Sequence, residues 1–246
     1  MIDKKVYIHT IGCQMNVYDS SRIVSILKPA GYSETPRWET ADLIVLNTCT
    51  IRRKAEQKAF SFLGRLGKLK KKKPGLIVAV GGCVAQQEGE RIIDRVPVVN
   101  LVFGPQALSR LPAHIRHLED DGSSIVDVTM SETIHECDTL PGALNDCAVT
   151  AFVTIMQGCD NFCTYCVVPY VRGREISREP DRIIEEIKML TGSGVREVTL
   201  LGQNVNSYGI KQDLCSFARL VNRVNNIEGI SRIRFTTTSE ERRVGK

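Results

Sequence analysis

Gly158–Arg174 reads GCDNFCTYCVVPYVRGR, which sets Cys159, Cys163 and Cys166 in the spacing CxxxCxxC. Three thiolates on one tight loop can each hold a different iron of a cubane cluster, leaving the fourth iron without a protein ligand. An open coordination position is where chemistry happens, by the logic that separates catalytic from structural zinc sites. Sulfur donors at this density select iron–sulfur clusters or zinc over hard cations. The alternative is a zinc knuckle, but zinc wants a fourth ligand nearby and the loop holds no histidine.

The chain has nine cysteines, an odd number. Its N-terminus, MIDKKVYIHTIGC, is charged and then alternating, unlike a secretory signal. A disulfide framework is therefore a poor account of the thiols, and metal binding in a reducing cytoplasm suits them better. Cys13, Cys49 and Cys83 each follow a strand-like run: Lys5–Thr10 (KVYIHT), Leu43–Leu46 (LIVL) and Leu76–Val80 (LIVAV). Helical spacing over Ser20–Lys28, Arg52–Lys70 and about Gln87–Asp94 separates these runs, and Val98–Phe103 adds a further strand. Strands alternating with helices imply an open parallel α/β sheet, whose strand C-terminal ends form one rim where ligands bind. Cysteines 36 and 34 positions apart are then expected to converge.

Residues 119–147 are polar with weak periodicity and read as a strand-bearing linker, with a boundary near Asp146. Val149–Met156 is a strand-like run leading into Gly158-Cys159. Helix Asp181–Leu190, announced by Glu179-Pro180, is followed by strand Glu197–Leu201, helix Leu214–Val224 and strand Ile230–Phe235. The expected division is a first domain over 1–130, a linker over 131–148 and a second α/β domain over 149–238 that stops after about three strands. Ser239–Lys246 (SEERRVGK) reads like translated sequencing-adapter DNA, the alternative being a genuine basic tail. The 246 residues, 42% apolar and 25% charged, exclude a disordered or collagen-like chain. No run approaches the roughly 18–20 apolar residues of a membrane span. A net charge of +5 permits a polyanionic partner without demanding one.

With its strand before CxxxCxxC and Tyr165 just ahead of the last cysteine, the second half resembles the radical S-adenosylmethionine superfamily. The resemblance implies a [4Fe-4S] cluster on Cys159, Cys163 and Cys166, S-adenosylmethionine on the open iron, and a partial (β/α)6 barrel of which this chain holds the first part. It also implies reductive cleavage to methionine and a 5′-deoxyadenosyl radical, hence a reducing electron donor. The segments TIGCQMNVYDS, LNTCTIRRKAEQK and VGGCVAQQ resemble the N-terminal domain of the methylthiotransferases. There the equivalents of Cys13, Cys49 and Cys83 bind a second [4Fe-4S] cluster, whose sulfur is joined to an unactivated carbon. Both open irons would have to face one substrate. Cys137, Cys147 and Cys215 match no motif.

The segments CTYCVVPYVRGREISR and EVTLLGQNVNSYG resemble the branch acting on prenylated adenosine beside the tRNA anticodon. The implied reaction is methylthiolation of carbon 2 of that base, in the cytoplasm, by a monomer with no membrane partner. The alternatives are the branches acting on threonylcarbamoyl-adenosine or a ribosomal protein, a non-catalytic iron–sulfur module, and a zinc RNA-binding module. Tyr165, Arg172, Arg174, Gln203 and Asn204 are candidate contacts to cofactor or RNA. For the two arginines a structural ion pair is the other reading, and for Gln203 and Asn204 a loop role. Lys68–Lys73 (KLKKKK) and Arg52-Arg53-Lys54 are candidate phosphate contacts, or a solvated helix face. His9 reads as a core or cross-strand residue, while His114, His117 and His135 show no pattern. Relatives of this kind continue through the rest of the barrel into a small RNA-binding β-barrel. This chain is therefore expected to be weakly active at best and to expose a strand edge.

Overall fold

The computed structural model describes residues 4–50, 53–131 and 148–237. The proposed linker with Cys137, Cys147 and His135, the tail and Arg52 lie outside the described residues. The chain divides into two compact units, one through Ser131 and one from residue 148 onward. Among the described residues, no helix is long and apolar enough to cross a membrane.

The first unit is a six-stranded parallel sheet with helices on both faces. Its strands are β1 (Lys4–Ile11), β2 (Tyr32–Glu34), β3 (Leu43–Thr48), β4 (Ile77–Gly82), β5 (Leu101–Phe103) and β6 (Ile125–Asp127). Their order is β2-β1-β3-β4-β5-β6. The connections are α1 (Gln14–Leu27), α2 (Arg53–Lys72), α3 (Cys83–Glu88), α4 (Arg91–Arg95) and α5 (Leu111–Asp120). Every residue of β3 and β4 is buried, as central strands covered on both faces require. One face packs Ile23, Ile26 and Leu27 of α1 with Ile115 and Leu118 of α5. The other packs Phe62, Leu63 and Leu66 of α2 with Val84 and Ile92.

The parallel sheet and the placement of all three cysteines just past strand ends agree with expectation. Several boundaries differ. α1 begins at Gln14, six residues before its apolar periodicity becomes visible, because its first turn is polar and buried (Asn16, Asp19). The expected helix near Gln87–Asp94 is two short helices broken at Gly89, whose φ of 52° leaves the helical region. The short strand β2 and helix α5 are additions, and the strand expected within the polar stretch 119–147 is β6. Ile125–Asp127 thus belongs to the sheet rather than to a linker, pairing with Leu101–Phe103.

The second unit is a three-stranded parallel sheet of β7 (Thr150–Thr154), β10 (Glu197–Leu201) and β11 (Arg232–Thr236), in the order β11-β10-β7. A two-stranded antiparallel ribbon, β8 (Met156–Gln157) with β9 (Ile176–Ser177), leads into and out of α6 (Val168–Val171). Helices α7 (Pro180–Gly192) and α8 (Phe217–Asn225) alternate with β10 and β11. Their apolar faces close a core of Val153, Ile183, Ile187, Val198, Leu200 and Leu220. This β-α-β-α-β succession is the one the sequence predicts, and it is how a parallel barrel begins. Among the described residues, the outer side of β11 has no strand neighbour.

Two candidate cysteine sites

In the first unit the cysteines are gathered by register. Ile11 of β1 stands opposite Thr48 of β3, and Thr48 opposite Gly82 of β4. Cys49 and Cys83 each come one residue after this row, and Cys13 two residues after it. Neighbouring parallel strands lie about 4.8 Å apart. The three thiols therefore leave adjacent strands at one level of the C-terminal rim. The strand order reverses between β1 and β3, and such a switch point opens the crevice where α/β sheets bind ligands. Cys49 and Cys83 are buried and Cys13 is exposed.

A buried amide network fixes this rim from below. Asn16 Oδ1 accepts from the Cys13 backbone N–H at 3.2 Å and from its thiol at 3.3 Å. Asn16 Nδ2 donates to Asn47 Oδ1 at 3.0 Å and to the Thr48 carbonyl at 3.1 Å. Asn47 Nδ2 donates to the Asn16 carbonyl at 2.8 Å and to Ser20 Oγ at 2.9 Å. Both side chains are at most 1% exposed, so every one of these bonds replaces water that cannot enter. The Cys49 N–H donates to the Ile11 carbonyl at 3.0 Å, and Thr50 Oγ1 donates to Gln87 of α3. Gly82, at φ 91°, is needed because a Cβ there would sit 2.6 Å from Asn47 Oδ1.

In the second unit the cysteines share one loop, and its neck holds them. The β8–β9 ribbon brings the loop's return against its start. The Cys159 N–H donates to the Gly173 carbonyl at 3.2 Å, and Gly158, at φ 74°, packs so tightly that a Cβ would meet the same oxygen at 2.5 Å. Asp160 staples the neck: it accepts from the Glu175 N–H at 3.2 Å, pairs with Arg174 Nε at 3.0 Å and touches Lys211. Between the cysteines the Cys166 N–H donates to the Cys163 carbonyl at 2.9 Å. Burial pushes the Cys159 thiol above its ordinary pKa, and the negative charge of Glu175, Cys166 and Cys163 adds to this.

The other candidates divide. Gln203 and Asn204 follow β10, whose last residue, Leu201, is in register with Thr154 at the end of β7. They therefore stand on the same rim as the cysteine loop. Arg172 is buried in the loop's return, and Tyr165 is 72% exposed beside Cys166. Arg174 is engaged by Asp160 and lies 5.1 Å over the Phe162 ring. The lysine run is at the far end of α2 from Cys49, about 30 Å along a 20-residue helix. Within it, Lys70 reaches the Val98 carbonyl and Asn100, and Lys73 pairs with Asp42 at 2.7 Å. His9 packs against Phe62 with part of its ring left open. His114 holds Asp127 at 2.7 Å.

The donors fit a cluster better than an ion. Among the described residues, no group of three or more His, Cys, Asp or Glu closes around a single metal ion. A cubane asks for less closure, since each thiolate binds a different iron. All six candidate ligands are sulfur, and no histidine joins either trio. Composition missed Asn16, Asn47, Asp160, Glu175 and Ser207, which hold the sites without being ligands. Glu175 is buried, accepts from Ser207 Oγ at 2.6 Å, and has its pKa raised by burial. The visible signals were the Asp directly after Cys159 and the Asn directly before Thr48-Cys49.

Residues 5–104 match the family described as "Uncharacterized protein family UPF0004", and residues 153–244 match the "Radical SAM superfamily". The chain is 57% identical over 235 residues to the tRNA-2-methylthio-N(6)-dimethylallyladenosine synthase of Desulfosudis oleivorans, covering 96% of this chain and 50% of that one. It is 54% identical to the protein of the same name from Geobacter metallireducens, covering 96% and 53%. The chain thus spans about half the length of the curated relatives it matches. Among solved structures, the cobalamin-dependent S-adenosylmethionine radical enzyme OxsB superposes with a TM-score of 0.61 over 94% of this chain and 38% of that one, at 13% identity. At that identity the likeness concerns the fold alone.

Proposed function

Since the chain joins a UPF0004 segment to a segment of the radical SAM superfamily, we propose that it is the cluster-bearing part of a cytoplasmic tRNA methylthiotransferase. Its substrate would be N(6)-dimethylallyladenosine in tRNA, methylthiolated at carbon 2, as the names of its relatives say of them. The observation that carries this reading is that Cys13, Cys49 and Cys83 follow three neighbouring strand ends in one unit, while Cys159, Cys163 and Cys166 share one loop in the other.

In this reading Cys159, Cys163 and Cys166 hold one [4Fe-4S] cluster, and Cys13, Cys49 and Cys83 hold the other. When bound, the clusters supply the electron that cleaves S-adenosylmethionine and the sulfur that is transferred. The protein's own part is positional. The Gly158 turn and the Asp160 staple fix the neck of the loop that carries the three thiols. Burial keeps the Cys159 proton on until metal replaces it, so loading releases protons. Gln203 and Asn204, on the neighbouring strand end, are placed to bind the polar groups of S-adenosylmethionine. Asn16 and Asn47, themselves dry and satisfied, tie Cys13 to the β3 rim and so support the register of the second trio.

The test is anaerobic reconstitution with iron and sulfide, then dithionite and S-adenosylmethionine. The expected result is 5′-deoxyadenosine and about eight irons per chain, from two four-iron clusters. In the longer protein, methylthiolated prenyl-adenosine should appear in tRNA, and should vanish from tRNA of a deletion strain. Zinc in place of iron, with no 5′-deoxyadenosine, would overturn the reading.

A further inference from the structure

Helix α2 carries one feature that neither cysteine site uses. Lys58, Arg65, Lys68 and Lys72 are exposed and fall on one face, seven, three and four residues apart. From Lys58 to Lys72 the ridge spans about 21 Å at 1.5 Å per residue. No carboxylate is exposed along α2 between Gln57 and Lys72. The nearby exposed acids, Glu34 and Glu39, flank the segment that carries Trp38.

Beside this ridge lies an aromatic group. Tyr7 and His9 of β1 stack at 6.2 Å, His9 meets Phe62 of α2 at 4.7 Å, and Trp38 meets Phe62 edge-on at 6.0 Å. Phe62 is buried, but Tyr7, His9 and Trp38 each keep part of their surface open. The Arg65 guanidinium lies 5.3 Å over the Phe62 ring, so ridge and rings form one continuous surface. Burial and the Arg65 charge lower the His9 pKa, so at neutral pH it is an uncharged ring. The strand that carries Tyr7 and His9 runs on to Cys13.

Two glycines add an independent observation. Gly64 and Gly67 lie inside α2, and a Cβ at either would meet nothing within 4 Å. Helix-interior glycine is unfavourable, and here no packing inside the protein requires it. Gly64 is exposed between Ser61 and Arg65, leaving the ridge bare to close approach by another backbone.

We infer that this face of the first unit is a single-stranded RNA track, with the α2 ridge holding phosphates and Tyr7, His9 and Trp38 offering rings on which unpaired bases stack. The inference rests on the tRNA substrate proposed above and gives that substrate a path along β1 toward Cys13. A helix face with cations and no acid between Gln57 and Lys72 suits a polyphosphate, and partly open rings beside it suit splayed bases rather than a lipid surface or an acidic peptide.

The experiment measures binding of this chain to a labelled RNA hairpin with an unpaired loop and to a blunt RNA duplex, across a salt series. Replacing the four ridge cations with glutamine should weaken both RNAs at least about tenfold and lower the salt slope by about 3, as loss of four phosphate contacts requires. Trp38→Leu should weaken the hairpin about tenfold and leave the duplex within about twofold, and Trp38→Phe should restore the hairpin. The control R182Q/K188Q on α7, also exposed cations, should change neither. The inference is overturned if the ridge variant binds the hairpin like wild type, if the α7 control loses as much, or if Trp38→Leu affects both RNAs equally. Loss of binding to phosphatidylserine vesicles in place of RNA would equally overturn it. 5′-Deoxyadenosine formation by wild type is measured in parallel. Its absence from wild type would sink the radical reading while leaving the RNA measurements to decide this one.

Discussion

The two cysteine trios reach the same end by opposite means. In the second unit the three cysteines lie within eight residues, and their geometry belongs to a loop whose neck is closed by Gly158, Asp160 and a two-stranded ribbon. In the first unit they are spread over 71 residues and belong to no loop at all. Their geometry is the register of three neighbouring strands, locked from beneath by the Asn16–Asn47 pair. The reinforcement differs accordingly. The loop is stapled by partly exposed charge, with Arg174 67% exposed, which is cheap to disturb. The rim is held by dry amides, which are not.

The contrast breaks most visibly if one trio does the other's work. Cys163→Ala should lower 5′-deoxyadenosine formation by about three orders of magnitude or more, a barrier rise of at least about 4 kcal/mol. Cys83→Ala should keep that activity while losing about four irons, the content of one cluster. Equal loss of cleavage in both variants would show that the two sites are not separable. Next in size is the buried amide. Asn47→Ala takes away one of the two acceptors of Asn16 Nδ2 and the side-chain donor to the Asn16 carbonyl, and should cost about 2–4 kcal/mol in urea unfolding, since each buried unmade hydrogen bond costs about 1–3 kcal/mol. Iron in the Cys13 trio should fall with it. Asp160→Asn should cost about 1 kcal/mol or less, because its partners remain hydrated. A larger effect for Asp160 than for Asn47 would reverse the comparison.

A pH titration sharpens the same contrast in the first unit. Burial alone would raise the Asp127 pKa, but hydrogen bonds from Arg110 at 2.6 and 2.8 Å and from His114 hold it far below the usual carboxylate range. A depressed carboxyl stabilises the fold above the unfolded pKa, about 3.9, and that contribution is lost as pH falls below it. Wild type should therefore lose stability below about pH 4 more steeply than Asp127→Asn, as read by urea midpoints. The smallest effect is Gly64→Ala, which should stabilise the chain by about 0.5–1 kcal/mol and yet weaken RNA binding. Stabilisation without weaker binding would mean that the glycine serves no close approach.

How much could be read from residues alone follows the same divide. The loop trio was legible from its spacing, because ligands close in sequence need no fold to bring them together. The other trio was legible only through its strands. LIVL and LIVAV are unmistakable buried runs, and each ends at a cysteine. What hid was polar and tertiary. The start of α1 was masked by buried Asn16 and Asp19, which look like surface residues in a sequence. Strand β2 is three residues long and carries no alternation to detect. Strand β6 follows an acidic stretch that resembles a linker. The split of α3 from α4 depends on one left-handed glycine. The alternatives for Arg174 could not be weighed until Asp160 was seen beside it.

Register carries a consequence for how the sites come into being. The loop trio needs only a short closure, a cheap and fast event, so its sulfurs can gather while most of the chain is still unpaired. The rim trio exists only after β1, β3 and β4 have found one another across long separations, among the slowest contacts a chain makes. Maturation of the protein is therefore ordered in time. One trio of thiols can gather early, and the other assembles only in a chain that has finished folding around it.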